Sequence, residues 1–357
     1  MTPLHYQPDD DAIDAASPVL RLGLAGFNEH QCKAVALALA NPLPNQPIWR
    51  VTPFQQADAW LLCGENSAPA SAGNQNTLRI AAGQAHDRLV TLNLSEIDRP
   101  VAFSVPLGSH DIEARLTFDV RSTPSLRTVL DAFEQWLQPM RARFVLGAQL
   151  MARESQLQRV VYHVSCNGQL LAVLDFAGWK IGLLPQATPE QLSEAIWEKR
   201  PSQAHAIPAH FTLSSVEQLR WVYGQHTALD VLPKRYQRQV IYFAKTPRIP
   251  QTWLESSHLL LLRELSNRPA TLRELSDRTG MLTEHLMRDL ACLYFAGSLT
   301  TTPQKAAMQS FGPVDISMPK PARAARAETT IFNSTLPPDT GMLADDDTTV
   351  AAGLQRE

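Results

Sequence analysis

The densest positive charge in the sequence lies between Pro233 and Pro250, PKRYQRQVIYFAKTPRIP. Lys234, Arg235, Arg238, Lys245 and Arg248 occur there without an acidic residue, with Tyr236, Tyr242 and Phe243 between them. Guanidinium forks match phosphate oxygens and aromatic rings stack on bases, so this order of residue types supplies the parts of a phosphate or nucleotide second-messenger site. The competing reading is a solvated basic face whose aromatics belong to the core. A second polar set falls in TGMLTEHLMRDL. Thr283, Glu284, His285 and Arg288 occupy the polar side of a helix whose other side carries Leu286, Leu290 and Leu293, a face for a partner protein or for DNA.

Catalytic constellations are missing from the sequence. His205 and His210 flank a stretch containing Pro208 and have no carboxylate nearby, so no helix aligns them on a metal. Cys166 and His163 sit three apart on one predicted strand, hence on opposite faces, and cannot pair as nucleophile and base. No G-x-S-x-G, H-E-x-x-H or protein-kinase set occurs. Gly23 and Gly26 precede a helix but lack the rest of a phosphate-binding loop, and read as close packing of strand against helix. Arg235 and Arg238 are spaced R-x-x-R with no [DN]-x-S-x-x-G after them, which departs from the cyclic-dinucleotide motif of PilZ domains. These observations read as a non-enzymatic chain with no catalytic residue, metal ligand set or cofactor.

The 357 residues are enough for two or three domains, and 44% hydrophobic content supports ordinary cores. A net charge of -3, from 32 Lys and Arg against 35 Asp and Glu, creates no global field toward nucleic acid or anionic membranes. The start, MTPLHYQPDDDAIDAAS, is acidic and lacks an apolar signal core, and no run reaches the roughly 18 apolar residues of a membrane span. Cys32, Cys63, Cys166 and Cys292 are widely spaced in apolar surroundings, as in a reducing compartment. A cytoplasmic location without membrane insertion is expected.

Five segments are expected. Residues 1–18 form a disordered leader, 19–150 an α/β domain, 158–250 an α+β domain, 253–302 a helical domain and 303–357 a disordered tail with a possible docking peptide at Thr330 to Phe332. In the first domain, VLRLGLAGF, PIWRVTPF and ADAWLLCGE read as strands around a helix capped by Asn28. Further strands are expected at 77–81, 88–94, 101–105 and 114–120, and a helix over 125–158 kinked or interrupted at Pro139. In the second, Asn167-Gly168 and Ala177-Gly178 mark turns between three antiparallel strands. Thr188 opens a helix to about Lys199 that buries Leu192, Ile196 and Trp197, and a Ser214/Glu217 box opens another.

From Ser257 to Thr302 the sequence predicts a leucine-rich helix, a second helix opened by a Thr271/Glu274 capping box and closed by Gly280, and a third from Thr283. A turn at Gly297 and a strand at Leu299 follow. This order resembles the winged helix-turn-helix superfamily, whose third helix usually reads the target. Arg263, Arg268, Arg273, Arg278 and Arg288 are matched by Glu264, Glu274, Asp277, Glu284 and Asp289, five against five, which favours protein over DNA contact. The β-α-β opening over 19–150 resembles the receiver domains of response regulators. It departs from them where their acidic residues, phosphoacceptor and Lys would stand: Leu24-Ala25-Gly26-Phe27, Leu62-Cys63-Gly64 and the FSVPLG stretch. The resemblances imply an α/β domain, an α+β domain and a winged-helix domain in a regulatory adaptor that recruits proteins through a phosphorylation-incompetent receiver-like domain. A DNA-binding transcription regulator and a nucleotide second-messenger effector are the alternatives.

Overall fold

Residues 17–40, 46–71, 74–81, 89–108 and 114–310 are described by the computed structural model. The leader through residue 16 and the tail beyond 310, with its Thr330 to Phe332 segment, lie outside them. The N-terminal part runs β1 (Val19–Ala25), α1 (Glu29–Leu39), β2 (Ile48–Thr52), β3 (Ala59–Leu62), β4 (Ser67–Ser71), β5 (Asn74–Ile80), β6 (Val90–Asn93), β7 (Val101–Ser104), β8 (Thr117–Phe118) and α2 (Thr123–Trp136). Five of these strands form a parallel sheet in the order β2-β1-β3-β7-β8. Burial along β1 is nearly continuous, as a central parallel strand requires.

Both helices cover one face of that sheet: Val35 and Leu39 from α1, and Leu126, Val129, Leu130 and Phe133 from α2, share a core with Leu20, Leu22 and Leu61. The other face meets the antiparallel sheet β4-β5-β6, where Leu78, Ile80 and Leu92 pack on Ala25, Leu62 and Phe103. The strand order is that of doubly wound sheets, but the helices are confined to one side.

The helix expected over 125–158 is two helices. α2 ends at Trp136 and, after Leu137, α3 (Gln138–Ala152) starts at once, because Pro139 has no N–H to continue the ladder and is accommodated in a first helical turn. The elements that follow are β9 (Val161–Cys166), β10 (Gln169–Asp175), β11 (Lys180–Leu183), α4 (Pro189–Ser193), β12 (Ile196–Arg200) and β13 (Thr212–Ser215). Their strands make an antiparallel sheet, β12-β9-β10-β11-β13. Asn167 and Gly168, both at positive φ, make the first hairpin turn. At the second, Trp179 takes the left-handed residue while Asp175 accepts from the N–H groups of Ala177 and Gly178.

Two expectations fail here. The Thr188 helix stops at Ser193, because the Gln149 side chain donates to the carbonyls of Leu192 and Ser193 and its oxygen accepts from the Trp197 indole. Residues 196–200 pair with β9 instead, which turns Ile196 outward at 45% exposure while Trp197 stays buried. The next helix is capped by Ser215 with Gln218, one residue beyond the expected box, since β13 runs through Ser214 and ends at Ser215, whose hydroxyl accepts from the Gln218 N–H.

The remainder comprises α5 (Val216–His226), α6 (Lys234–Arg238), β14 (Tyr242–Phe243), α7 (Ser256–Asn267), α8 (Leu272–Thr279), α9 (Thr283–Phe295), β15 (Leu299–Thr300) and α10 (Pro303–Ser310). Residues 303–310, expected to be disordered, are therefore helical. One continuous core runs from α3 and the antiparallel sheet through α5 to Leu261, Leu275, Leu286 and Leu290. Among the described residues no helix is long and apolar enough to cross a membrane.

Candidate functional site

The C-terminal edge of the parallel sheet, where open α/β sheets bind ligands, is filled by the chain itself. Gly26, at φ +80, ends β1, and a Cβ there would lie 2.8 Å from the Ile80 side chain. Its carbonyl accepts a 2.6 Å hydrogen bond from the Asn66 amide. After β3, a side chain on Gly64 would run into the Ser104 carbonyl. Both glycines are packing glycines, and Gly23, with Ala57 and Trp60 each 2.9 Å from its Cβ position, is a third. Neither Gly23 nor Gly26 packs against α1 as expected: Gly23 faces the short turn at Phe54–Gln56 and Trp60 of β3, and Gly26 faces Ile80 and Cys63.

The polar face of α9 begins freely and is soon enclosed. Thr283 and Glu284 are exposed, whereas His285 and Arg288 are half-buried. Glu284 is 3.7 Å from Arg50 on β2 and 3.8 Å from Arg288. Beyond this first turn and a half, α5 lies along α9. A Cβ on Gly224 would come within 3.0 Å of Phe295 and 3.3 Å of the Cys292 sulfur. Only the start of the expected reading helix is open to a partner.

The basic stretch divides into two parts. Lys234, Arg235 and Arg238 are exposed on α6, while Lys245 is half-buried with its stem against Gly297, and Arg248 is exposed after β14. Their aromatic neighbours are structural. Tyr236 is buried and donates a 3.1 Å hydrogen bond to the Leu299 carbonyl, and Tyr242 and Phe243 pair with β15. The Arg235 guanidinium sits 5.3 Å from the Tyr236 ring and 5.9 Å from Tyr294, which ties it to the protein's own rings.

The most developed polar cluster was not among the sequence candidates. Arg21, in the middle of β1, receives Asp58 on its backbone N–H at 2.8 Å and on its guanidinium at 3.0 and 3.3 Å, and donates to Glu255 at 2.9 Å. Burial would raise the Asp58 carboxyl, but the Arg21 guanidinium and neighbouring His226 outweigh it and hold it below the usual range. His226 is buried and its Nδ1 lies 3.1 Å from the Val19 carbonyl; burial lowers its pKa, against the pull of Asp58.

Next to this, His258 Nδ1 accepts from the Glu255 N–H at 3.1 Å, so the neutral ring carries its proton on Nε2, 3.6 Å from Asp289. Burial pushes His258 down to about 4 and raises Asp289. The sequence signal was a single Arg at an alternate position of an otherwise apolar strand. Such a charge is withdrawn from water only when it is paired.

No protein-family model matches the chain, and no curated protein or solved structure matches it either.

Proposed function

We propose that the protein is a non-enzymatic cytoplasmic adaptor that recruits other proteins through one surface shared by its N-terminal sheet and the start of α9. The observation that carries this is the Arg50–Glu284 ion pair, which places the open turn of α9 against the edge strand β2. Among the described residues no strand pairs with the outer side of β2. Beside it, Leu24, Phe27, Cys32, Ala36 and Val51 line a groove of about 380 Å³ between α1 and β2. Val51 is 45%, Leu37 73% and Leu282 70% exposed. An unpaired strand edge next to an apolar groove suits an extended partner segment that adds a strand and seats alternate side chains.

Residues 256–300 serve here as a winged helix-turn-helix used for docking. The helix order, the Thr271/Glu274 box, the left-handed Gly280 and the β14-β15 pair, with the Ile241–Ala270 bridge, support that module. Enclosure of α9 by α5 and pairing of Glu284 with Arg50 and Arg288 speak against a DNA reader. The filled strand ends speak against receiver phosphorylation chemistry.

Photo-crosslinkers placed at Val51 and Leu282 test the reading, with Leu213 on the far antiparallel sheet as control. The first two are expected to label the same partner protein in cells, and Arg50→Glu with Val51→Asp is expected to abolish both adducts while the fold persists. Equal labelling from Leu213 would overturn the assignment. So would salt-dependent micromolar binding of random duplex DNA that is lost in Arg288→Ala.

A further inference from the structure

A cleft of about 820 Å³ opens where the N-terminal sheet, α2, α3, α5 and the start of α7 meet. That volume suits a small organic ligand. Its lining carries Arg21, Arg99 and Arg143 against Asp58, Asp98 and Glu255. Two of the cations are already committed: Arg21 to Asp58 and Glu255, and Arg99 to Asp98.

Arg143 is different. It is half-buried on α3, and among the described residues no hydrogen bond or carboxylate meets its guanidinium. Burial alone lowers its pKa, with no negative group opposing. A partly desolvated cation without a counter-charge is held at a cost that an anion in the cleft would relieve. Two indole rings share the wall: Trp136, 53% exposed at the end of α2, and half-buried Trp253. Gln55, Gln56 and Gln225 add neutral hydrogen-bonding groups.

We propose that this cleft binds a small molecule carrying a carboxylate or phosphate next to a flat aromatic ring, the anion on Arg143 and the ring on Trp136 or Trp253. This site is separate from the α6 basic residues and from the β2 docking edge. Its ligand would touch the sheet and the helices together, so occupancy would stabilise their packing.

Saturation-transfer NMR with the full chain tests it, using matched probes: adenosine monophosphate against adenosine, and indole-3-carboxylate against indole-3-carboxamide. The expected result is binding of one or both anionic members, quenching of tryptophan fluorescence, and at least tenfold weaker binding of each neutral partner. The phosphate and carboxylate arms identify which anion is preferred. Arg143→Gln, which breaks no hydrogen bond or ion pair among the described residues, is expected to lose about 10- to 100-fold in affinity, the range of a charged hydrogen bond. Trp136→Leu serves as a second variant, with weaker binding and less quenching expected. Equal binding of charged and neutral members would overturn the proposal. So would unchanged affinity in Arg143→Gln, or no binding of either anion at millimolar concentration.

Discussion

Replacing Arg21 with Met keeps the length of the side chain and removes its charge, which isolates what the guanidinium does. Asp58 would lose all its guanidinium hydrogen bonds and Glu255 its 2.9 Å contact, with side chains only 11% and 23% exposed. Breaking a buried ion pair by removing one partner typically costs about 3–5 kcal/mol, because the remaining charge stays desolvated. That range is expected for Arg21→Met at pH 7 in urea unfolding. The pH dependence supplies a sharper check. In the native protein Asp58 sits below its unfolded value, so its contribution is present above about pH 4 and is lost as pH falls through the folded value. Without Arg21, burial dominates, the folded carboxyl rises above the unfolded one, and the folded state gains by taking up a proton. The penalty should therefore shrink as pH drops from 7 to 4, and Asp58→Asn in the Arg21→Met background should recover part of it. A penalty below about 1 kcal/mol at pH 7, or one that grows on acidification, would refute the view of this cluster as a buried rivet.

Other outcomes follow from single residues. His258, pushed down to about 4 against 6.5 unfolded, binds its proton more readily in the unfolded chain, so stability should fall as pH drops from 6.5 toward 4. The gap corresponds to about 3 kcal/mol, offset in part by Asp289, and His258→Asn should flatten that stretch of the pH–stability curve. Gly64→Ala should destabilise by about 3 kcal/mol or more, since its methyl meets the Ser104 backbone rather than a movable side chain; a melting temperature within a degree of wild type would contradict this. Gly280→Ala meets open space and should cost only about 1 kcal/mol, the strain of a left-handed alanine, read from the same melting curves. Tyr236→Phe should cost about 1 kcal/mol or slightly more, because it leaves the buried Leu299 carbonyl without its donor.

Local rules were legible where the cause lies within a few residues. The Thr271/Glu274 box, the Asn28 cap and the Asn167-Gly168 turn all appear as read. The misreadings share a different cause. Gln149 ends the Thr188 helix from more than 40 residues away in sequence, and β9 recruits residues 196–200 into a sheet whose pairing no window around Ile196 contains. Pro139 was seen, but not that the chain would restart a helix at once. The basic stretch drew attention by composition, and Tyr236 within it is core, in line with the competing reading of that stretch. Arg21, Asp58 and Glu255 are separated by up to 234 residues, so the cluster they form exists only in three dimensions.

The one-residue break at Leu137 has a mechanical meaning. Leu137 packs in the core of the parallel sheet, α3 packs in the core of the antiparallel sheet and helices, and Met140 touches both. The covalent passage between those cores is thus an elbow with almost no slack, and Arg21 lies beside it as a latch. A force pulling the two cores apart would not pay out linker first. It would load the elbow and the latch together, so rupture should come as one abrupt event, where a string-like connection would give a gradual extension.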